Sequence, residues 1–377
     1  MKERGVANGP RRAALASTFR PVPFSLKPAP GVPIEASRDG LQTNLSPWAR
    51  RVYVGQQFAN RDIPATPQTF YVPTRARREH PSYLAPELPP AADKAQQAQA
   101  LASAIEGVLK LHHQDFPAIQ QRVVPHPPRP DHAAILSRRM NDALARVSIF
   151  RRSTRKAAKA AAMLATQMEC NELEAANQAQ YVAVQQEIDQ LWQRLITNDP
   201  DVVLAVLSHT FQTSGANAAP LGVWDAEAHM ALLAPDPTAL PERYPTTTAA
   251  GNLSLKKLTK AETADLYKQL VAGLALATAK EAFAIAPGVT GIRIVALRGT
   301  SADAYGKVRA DAILAAQIPR AALNGVQWTR TDAFTILNEI SSELLIRIAG
   351  TSKAFAPLNL KTEPEIAGLI DGVTSGN

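Results

Sequence analysis

One cysteine, Cys170, occurs in 377 residues, so no intrachain disulfide can form. Disulfide-stapled scaffolds are excluded, and such sparing use of cysteine points to a reducing, cytoplasmic setting. Long apolar runs are also missing. The most apolar stretch, Leu270 to Pro287, is broken by Lys280 and Glu281, and a membrane span is not expected. The charged start Met1-Lys2-Glu3-Arg4 is followed by no apolar segment, so no secretory signal is expected either. Gly-x-x-x-x-Gly-Lys-Ser/Thr, Gly-x-Gly-x-x-Gly and Gly-x-Ser-x-Gly do not occur, which removes the commonest signatures of phosphate loops, dinucleotide folds and serine nucleophile elbows.

Metal chemistry is thinly supported. Seven histidines, His80, His112, His113, His126, His132, His209 and His229, show no zinc-type spacing. The adjacent pair His112-His113 diverges by about 100° on a helix, too far to share one ion. No metal and no cofactor is expected.

The most informative absence is local. Glycine and proline supply 19 and 29 positions, yet neither occurs from Asp131 to Asp199. Each is costly inside a helix, by about 1 and 3 kcal/mol, so a run that excludes both reads as a long helix. Asp131 is its cap. In its second half Tyr181, Val184, Ile188, Leu191 and Leu195 alternate spacings of three and four, the seam of a coiled coil and the expected self-association face. Ala161, Leu164 and Met168 continue a similar stripe upstream, and Leu136, Met140, Leu144 and Val147 mark another. An unbroken rod would reach roughly 90–100 Å. A hairpin turning near Ser153 is the alternative.

What surrounds this run sets the expected organisation. Residues 1–60 read as a small basic β-meander, with an Asp39-Gly40 hairpin signal between alternating segments and Val52-Tyr53-Val54 beyond. Residues 61–130 read as a proline-rich linker with one helix over 91–115, ended by Pro117. Residues 200–377 read as a ββαββα domain. Its elements are strands Leu221–Trp224 and His229–Leu233, a helix opened by the Thr259/Glu262 capping box, strands Gly291–Arg298 and Val308–Ile318, and a helix from Thr331 to Ala349 stopped by Gly350. A last helical turn is expected near Glu365–Ile370. The fold class is α+β, with helices on one sheet face.

An apolar fraction of 46% with 20% charge fits a globular chain of two or three domains. The net charge of +8 is unevenly spread. Residues 133–160 carry eight cations, Arg138, Arg139, Arg146, Arg151, Arg152, Arg155, Lys156 and Lys159, against Asp142 alone. Residues 161–199 carry Arg194 against six carboxylates. Helical spacing spreads the cations around the cylinder, which suits contact with a polyanion backbone more than base readout. Arg11, Arg12, Arg75, Arg77 and Arg78 would extend that surface. The competing reading pairs the basic half of the helix with an acidic half, in the same chain or a partner.

The enzymatic alternative is a metal-dependent nuclease using the C-terminal domain. Asp311 on a strand is its acid, with Glu281, Arg293 and Arg298 nearby in sequence order. An arginine across the sheet would instead neutralise Asp311, and the acid-x-Lys element such a site needs is missing from the neighbouring strand.

Several segments carry a resemblance. Leu191-Trp192-Gln193-Arg194-Leu195 leading to Asp199-Pro200-Asp201-Val202-Val203, with Gly251 to Leu258, Glu281 to Ala284, Asp303 to Gly306 and Ser342 to Leu345, resembles a family of uncharacterised actinobacterial proteins over about residues 180–372. Ala29-Pro30-Gly31-Val32 and Gly40-Leu41 are similar to a small β-rich module at the start of some bacterial proteins. The resemblance implies a domain boundary and no activity. Together these features lead to the expectation of a non-catalytic cytoplasmic assembly or adaptor protein, dimeric or bound to a protein partner, with nucleic acid as a non-specific polyanion and no membrane contact.

Overall fold

The computed structural model describes residues 24–26, 34–37, 40–43, 94–249, 252–299 and 310–375. In chain order these hold β1 (Ile34–Ser37), β2 (Gly40–Thr43), α1 (Lys94–Lys110), α2 (His132–Ala145), α3 (Arg152–Ile196), α4 (Pro200–Ser214), β3 (Ala218–Trp224) and β4 (Glu227–Ala234). There follow β5 (Arg243–Thr247), β6 (Leu253–Lys257), α5 (Lys260–Ile285), β7 (Gly291–Gly299), β8 (Ala310–Pro319), α6 (Ala333–Ile340), β9 (Glu343–Ile346) and α7 (Pro364–Ser375). The fold is α+β, as the alternation of periods implies.

One five-stranded sheet, in the order β3-β4-β7-β8-β9, organises the C-terminal half. The turn from β3 to β4 is two residues, Asp225 and Ala226, both at positive φ (48° and 64°), the geometry that matches strand twist in a tight hairpin. β4 and β7 are parallel, and α5 is the crossover between them; the other pairings are antiparallel. Thr259 and Glu262 form the capping box that the sequence announces, and Asp199 and Asp332 cap α4 and α6 through their carboxylates.

Alternation along the strands divides the core in two. One face packs Ile292, Ile294 and Ala296 of β7 under α5, α4 and α6. The other packs Val295 and Leu297 under Phe24, Leu26 and α7. Helices are therefore on both faces, since Ile366, Leu369 and Ile370 of α7 close the second. Phe24 and Leu26 are held there by their own amides, which donate to Glu363 and Glu365. The core also disregards a boundary at residue 200: Val108 and Leu111 at the end of α1, Ile119, and Leu195 of α3 all lie within the main cluster.

Besides the placement of helices on one sheet face, three expectations need correction. The glycine- and proline-free run is two helices: α2 and the 45-residue α3 are separated by a turn at 146–151 and pack against each other. The helix expected from Thr331 to Ala349 stops at Ile340. Ser341 turns its hydroxyl back to the Leu337 carbonyl, and Glu343–Ile346 pairs with β8 as an edge strand. The apolar spacing of Leu344 and Ile348 mimics a helix, but an open sheet edge beside it recruits the segment. The hairpin β5–β6 has no counterpart in the expected ββαββα order. Of the N-terminal meander, β1 and β2 pair antiparallel as expected, with Ser37 opposite Gly40, whereas Val52–Val54 and the proline-rich stretch over 56–90 lie outside the described residues, as does Asp303–Gly306.

Candidate functional site

The α2–α3 hairpin is built from two kinds of surface. Ala162, Thr166 and Cys170, each four residues on, are buried along the stripe of α3 where α2 lies. Their small side chains let the helices approach closely, and the Thr166 hydroxyl is absorbed by the Ala162 carbonyl (2.7 Å). No residue of α2 is fully buried, so this interface is thin. Arg138 and Arg139 clasp one carboxylate, Glu169, the latter at 2.7 Å. The Asp131 carboxylate caps α2 through the Ala134 amide (3.0 Å).

Nearer the body, the proline-rich segment before α2 covers the same side of α3. Gln185 accepts from the Val124 amide (2.8 Å) and donates to the Arg122 carbonyl (3.3 Å), Gln121 reaches Asp189 (2.9 Å), and the His126 ring stacks on Tyr181 at 4.4 Å. The expected self-association seam is consequently occupied within the chain. Leu195 is in the main core, Leu191 packs on it, Ile188 is buried, and Tyr181 and Val184 are half-buried beside the linker. A seam spacing records that a face is covered, not by whom, and the linker's irregular backbone carries no period that would reveal it as the partner.

The opposite side of α3 is open. Leu164 is 66% exposed, Met168 57% and Val182 39%. With Ala157, Ala161, Asn171, Ala175 and Gln178 they alternate spacings of three and four over seven turns. Only its first half, Ala161, Leu164 and Met168, stood out in the sequence, because Asn171, Ala175 and Gln178 dilute the apolar signal downstream.

At the turn, Ile149 and Phe150 are 71% and 86% exposed. Around them Arg146, Arg151, Arg152, Lys156 and Lys159 are exposed and make no ion pair among the described residues. Arg155 leans on the Val147 carbonyl at 3.5 Å. Of the eight sequence-selected cations, Arg138 and Arg139 are thus tied to Glu169, and the remaining six crowd the hairpin end. The body joins α3 at its other end, about 67 Å away along 45 residues.

The enzymatic alternative fares differently. Arg298 Nη2 lies 3.4 Å from Asp311 Oδ2 across β7 and β8, the cross-sheet neutralisation weighed against it. Glu281 is fully buried on α5 inside the body, and Arg293 is bound to Glu227 (2.8 Å) and Glu343 (2.9 Å). Arg293 is thereby committed to carboxylates other than Asp311. Among the described residues no three His, Cys, Asp or Glu side chains are grouped to hold a metal ion, and no helix is long and apolar enough to cross a membrane.

The chain matches no family model, no curated protein and no solved structure.

Proposed function

We propose that this protein is a non-catalytic, cytoplasmic assembly protein whose α3 pairs with the α3 of a second copy, antiparallel, through the open stripe, so that two cationic hairpin ends face a polyanion. The observation that carries the reading is the three-four stripe around Leu164, Met168 and Val182, exposed on a helix whose other side is sealed by its own chain. The charge distribution supports the antiparallel sense. A pairing of residues whose numbers sum to 339 sets Ala157 on Val182, Leu164 on Ala175 and Met168 on Asn171, large against small in each layer. The same register lays Arg152 beside Glu187 of the copy, joining the basic end of one arm to the acidic half of the other.

Light scattering on the full chain tests this. A dimer is expected, and Leu164→Glu with Met168→Glu converts it to a monomer with an unchanged melting profile. In a Cys170→Ser background, Leu164→Cys with Ala175→Cys links two chains on oxidation, whereas Leu164→Cys with Gln186→Cys does not. A monomeric native chain, or a dimer indifferent to both glutamates, refutes the reading.

A further inference from the structure

A cleft of about 400 Å³ opens where the carboxyl ends of β4 and β7, the sheet's one parallel pair among the described residues, meet the start of α5. That size lies within the range of small-ligand sites, and the carboxyl end of parallel strands is where α/β sheets leave a crevice. Its floor is apolar: Leu240, Tyr267 and Phe355 are each at most 4% exposed. The Tyr267 hydroxyl is committed to the Pro235 carbonyl (2.9 Å), so it presents a ring rather than a polar tip. Burial raises its phenol well above the ordinary range, which keeps that ring neutral.

The lining carries three cations, Lys257, Lys260 and Arg298, and one carboxylate, Glu242. Glu242 is 3.8 Å from Lys257 with both side chains about three-quarters exposed, a pair that water nearly cancels. Lys260 makes no ion pair among the described residues. Arg298 is mostly buried, 18% exposed, and its single described bond to Asp311 is long at 3.4 Å. A guanidinium has five N–H donors in a planar fork, matched to a carboxylate. An apolar floor beneath a cationic rim with an underused arginine is the complement of an amphipathic anion.

We infer that this cleft binds a small organic carboxylate, its apolar body over Tyr267 and Phe355 and its charged head on Arg298 and Lys260. The site is in the body, remote from the assembly stripe, and stands or falls separately from it.

Calorimetric titration of the full chain with sodium octanoate, 1-octanol and octyl phosphate is the test. Octanoate is expected to bind saturably at one site, with octanol at least about tenfold weaker. Arg298→Gln and Lys260→Gln each weaken octanoate roughly tenfold and leave octanol unchanged. Lys260 is exposed, so its substitution keeps the test valid if loss of Arg298 perturbs folding. Thr263→Trp, which fills the cleft, abolishes octanoate binding at an unchanged melting temperature. The monomeric Leu164→Glu, Met168→Glu chain binds octanoate as the native protein does. No saturable octanoate binding, equal affinity for octanol, or full affinity in a folded Thr263→Trp variant overturns the proposal. Octyl phosphate binding more tightly than octanoate overturns the carboxylate assignment.

Discussion

Asn198 donates from its side-chain amide to the carbonyl of Gly288, 2.6 Å away and 90 residues later in the chain. Asn198 takes the left-handed conformation (φ 61°) that ends α3, a backbone state asparagine tolerates better than most residues. Its bond ties the base of the arm to the loop between α5 and β7. A Cβ at Gly288 would lie 2.3 Å from the Ile196 carbonyl oxygen and 2.6 Å from Asn198 Oδ1, so only glycine fits this junction.

Gly288→Ala is accordingly expected to destabilise the fold by about 2–3 kcal/mol, because backbone on one side and a committed side chain on the other leave little room to yield. Urea unfolding reads the shift directly. Hydrogen exchange would show the added opening concentrated at the end of α3 and the start of α4, and uniform loss of protection across the sheet would contradict a local role for this junction.

The pair Arg298 and Asp311 offers a second measurement. Asp311→Asn removes a partly exposed partner and should cost about 1 kcal/mol or less in unfolding free energy. A nuclease built on Asp311 makes a sharper demand, cleavage of generic DNA or RNA with magnesium or manganese that this substitution abolishes. The expected result is a small stability change with no such cleavage to lose.

Polyanion binding by the hairpin end predicts a salt signature. Binding of generic double-stranded DNA should weaken steeply with salt. Arg146→Gln, Arg151→Gln, Lys156→Gln and Lys159→Gln together should lower the slope of log affinity against log salt by up to about 4, one for each phosphate no longer neutralised. Arg138→Gln should change it little, because Glu169 already engages that side chain. A slope unmoved by the fourfold change would exclude this end of the arm.

Stability should also depend on acid. Burial lowers the pKa of His112, outweighing the bond to the Thr331 carbonyl that favours its charged form, and burial lowers that of His209. With folded-state values depressed below the ordinary value of about 6.5, the unfolded chain binds more protons as pH falls through that region. Stability contributed by the neutral rings is therefore full above about pH 6.5 and declines below it until the folded-state values are reached. Melting temperatures across pH 5 to 8 should fall on the acid side, and His209→Gln should flatten that slope. An acid slope unaltered by either histidine's replacement would assign it to other groups.

Much of this architecture was legible in the chain because its signals are local. Caps at Asp131 and Thr259, the exclusion of glycine and proline from the long helix, and the apolar strand runs around Ile294 and Ile313 all act within a few residues. The arginine opposite Asp311 also followed from strand placement. The seam at Tyr181 to Leu195 was read as a self-association face, whereas the chain's own linker and core occupy it. Its occupant, a stretch of prolines with one glutamine hook at Gln121 and a stacked histidine, is specified only by partners some 60 residues away in sequence.

Composition and periodicity alone thus determined that this polypeptide holds a long helix, a mixed α/β body after it and a cationic segment over 133–160, since propensity and amphipathic spacing are properties of neighbours along the chain. Tertiary structure alone decided that the break-free run doubles back at 146–151, that Glu343–Ile346 leaves a helical pattern to complete a sheet edge, and that six of the eight cations gather at one end. Those outcomes depend on which surfaces meet in space, where a turn costs little once Glu169 and a stripe of small residues stand ready to receive the returning helix.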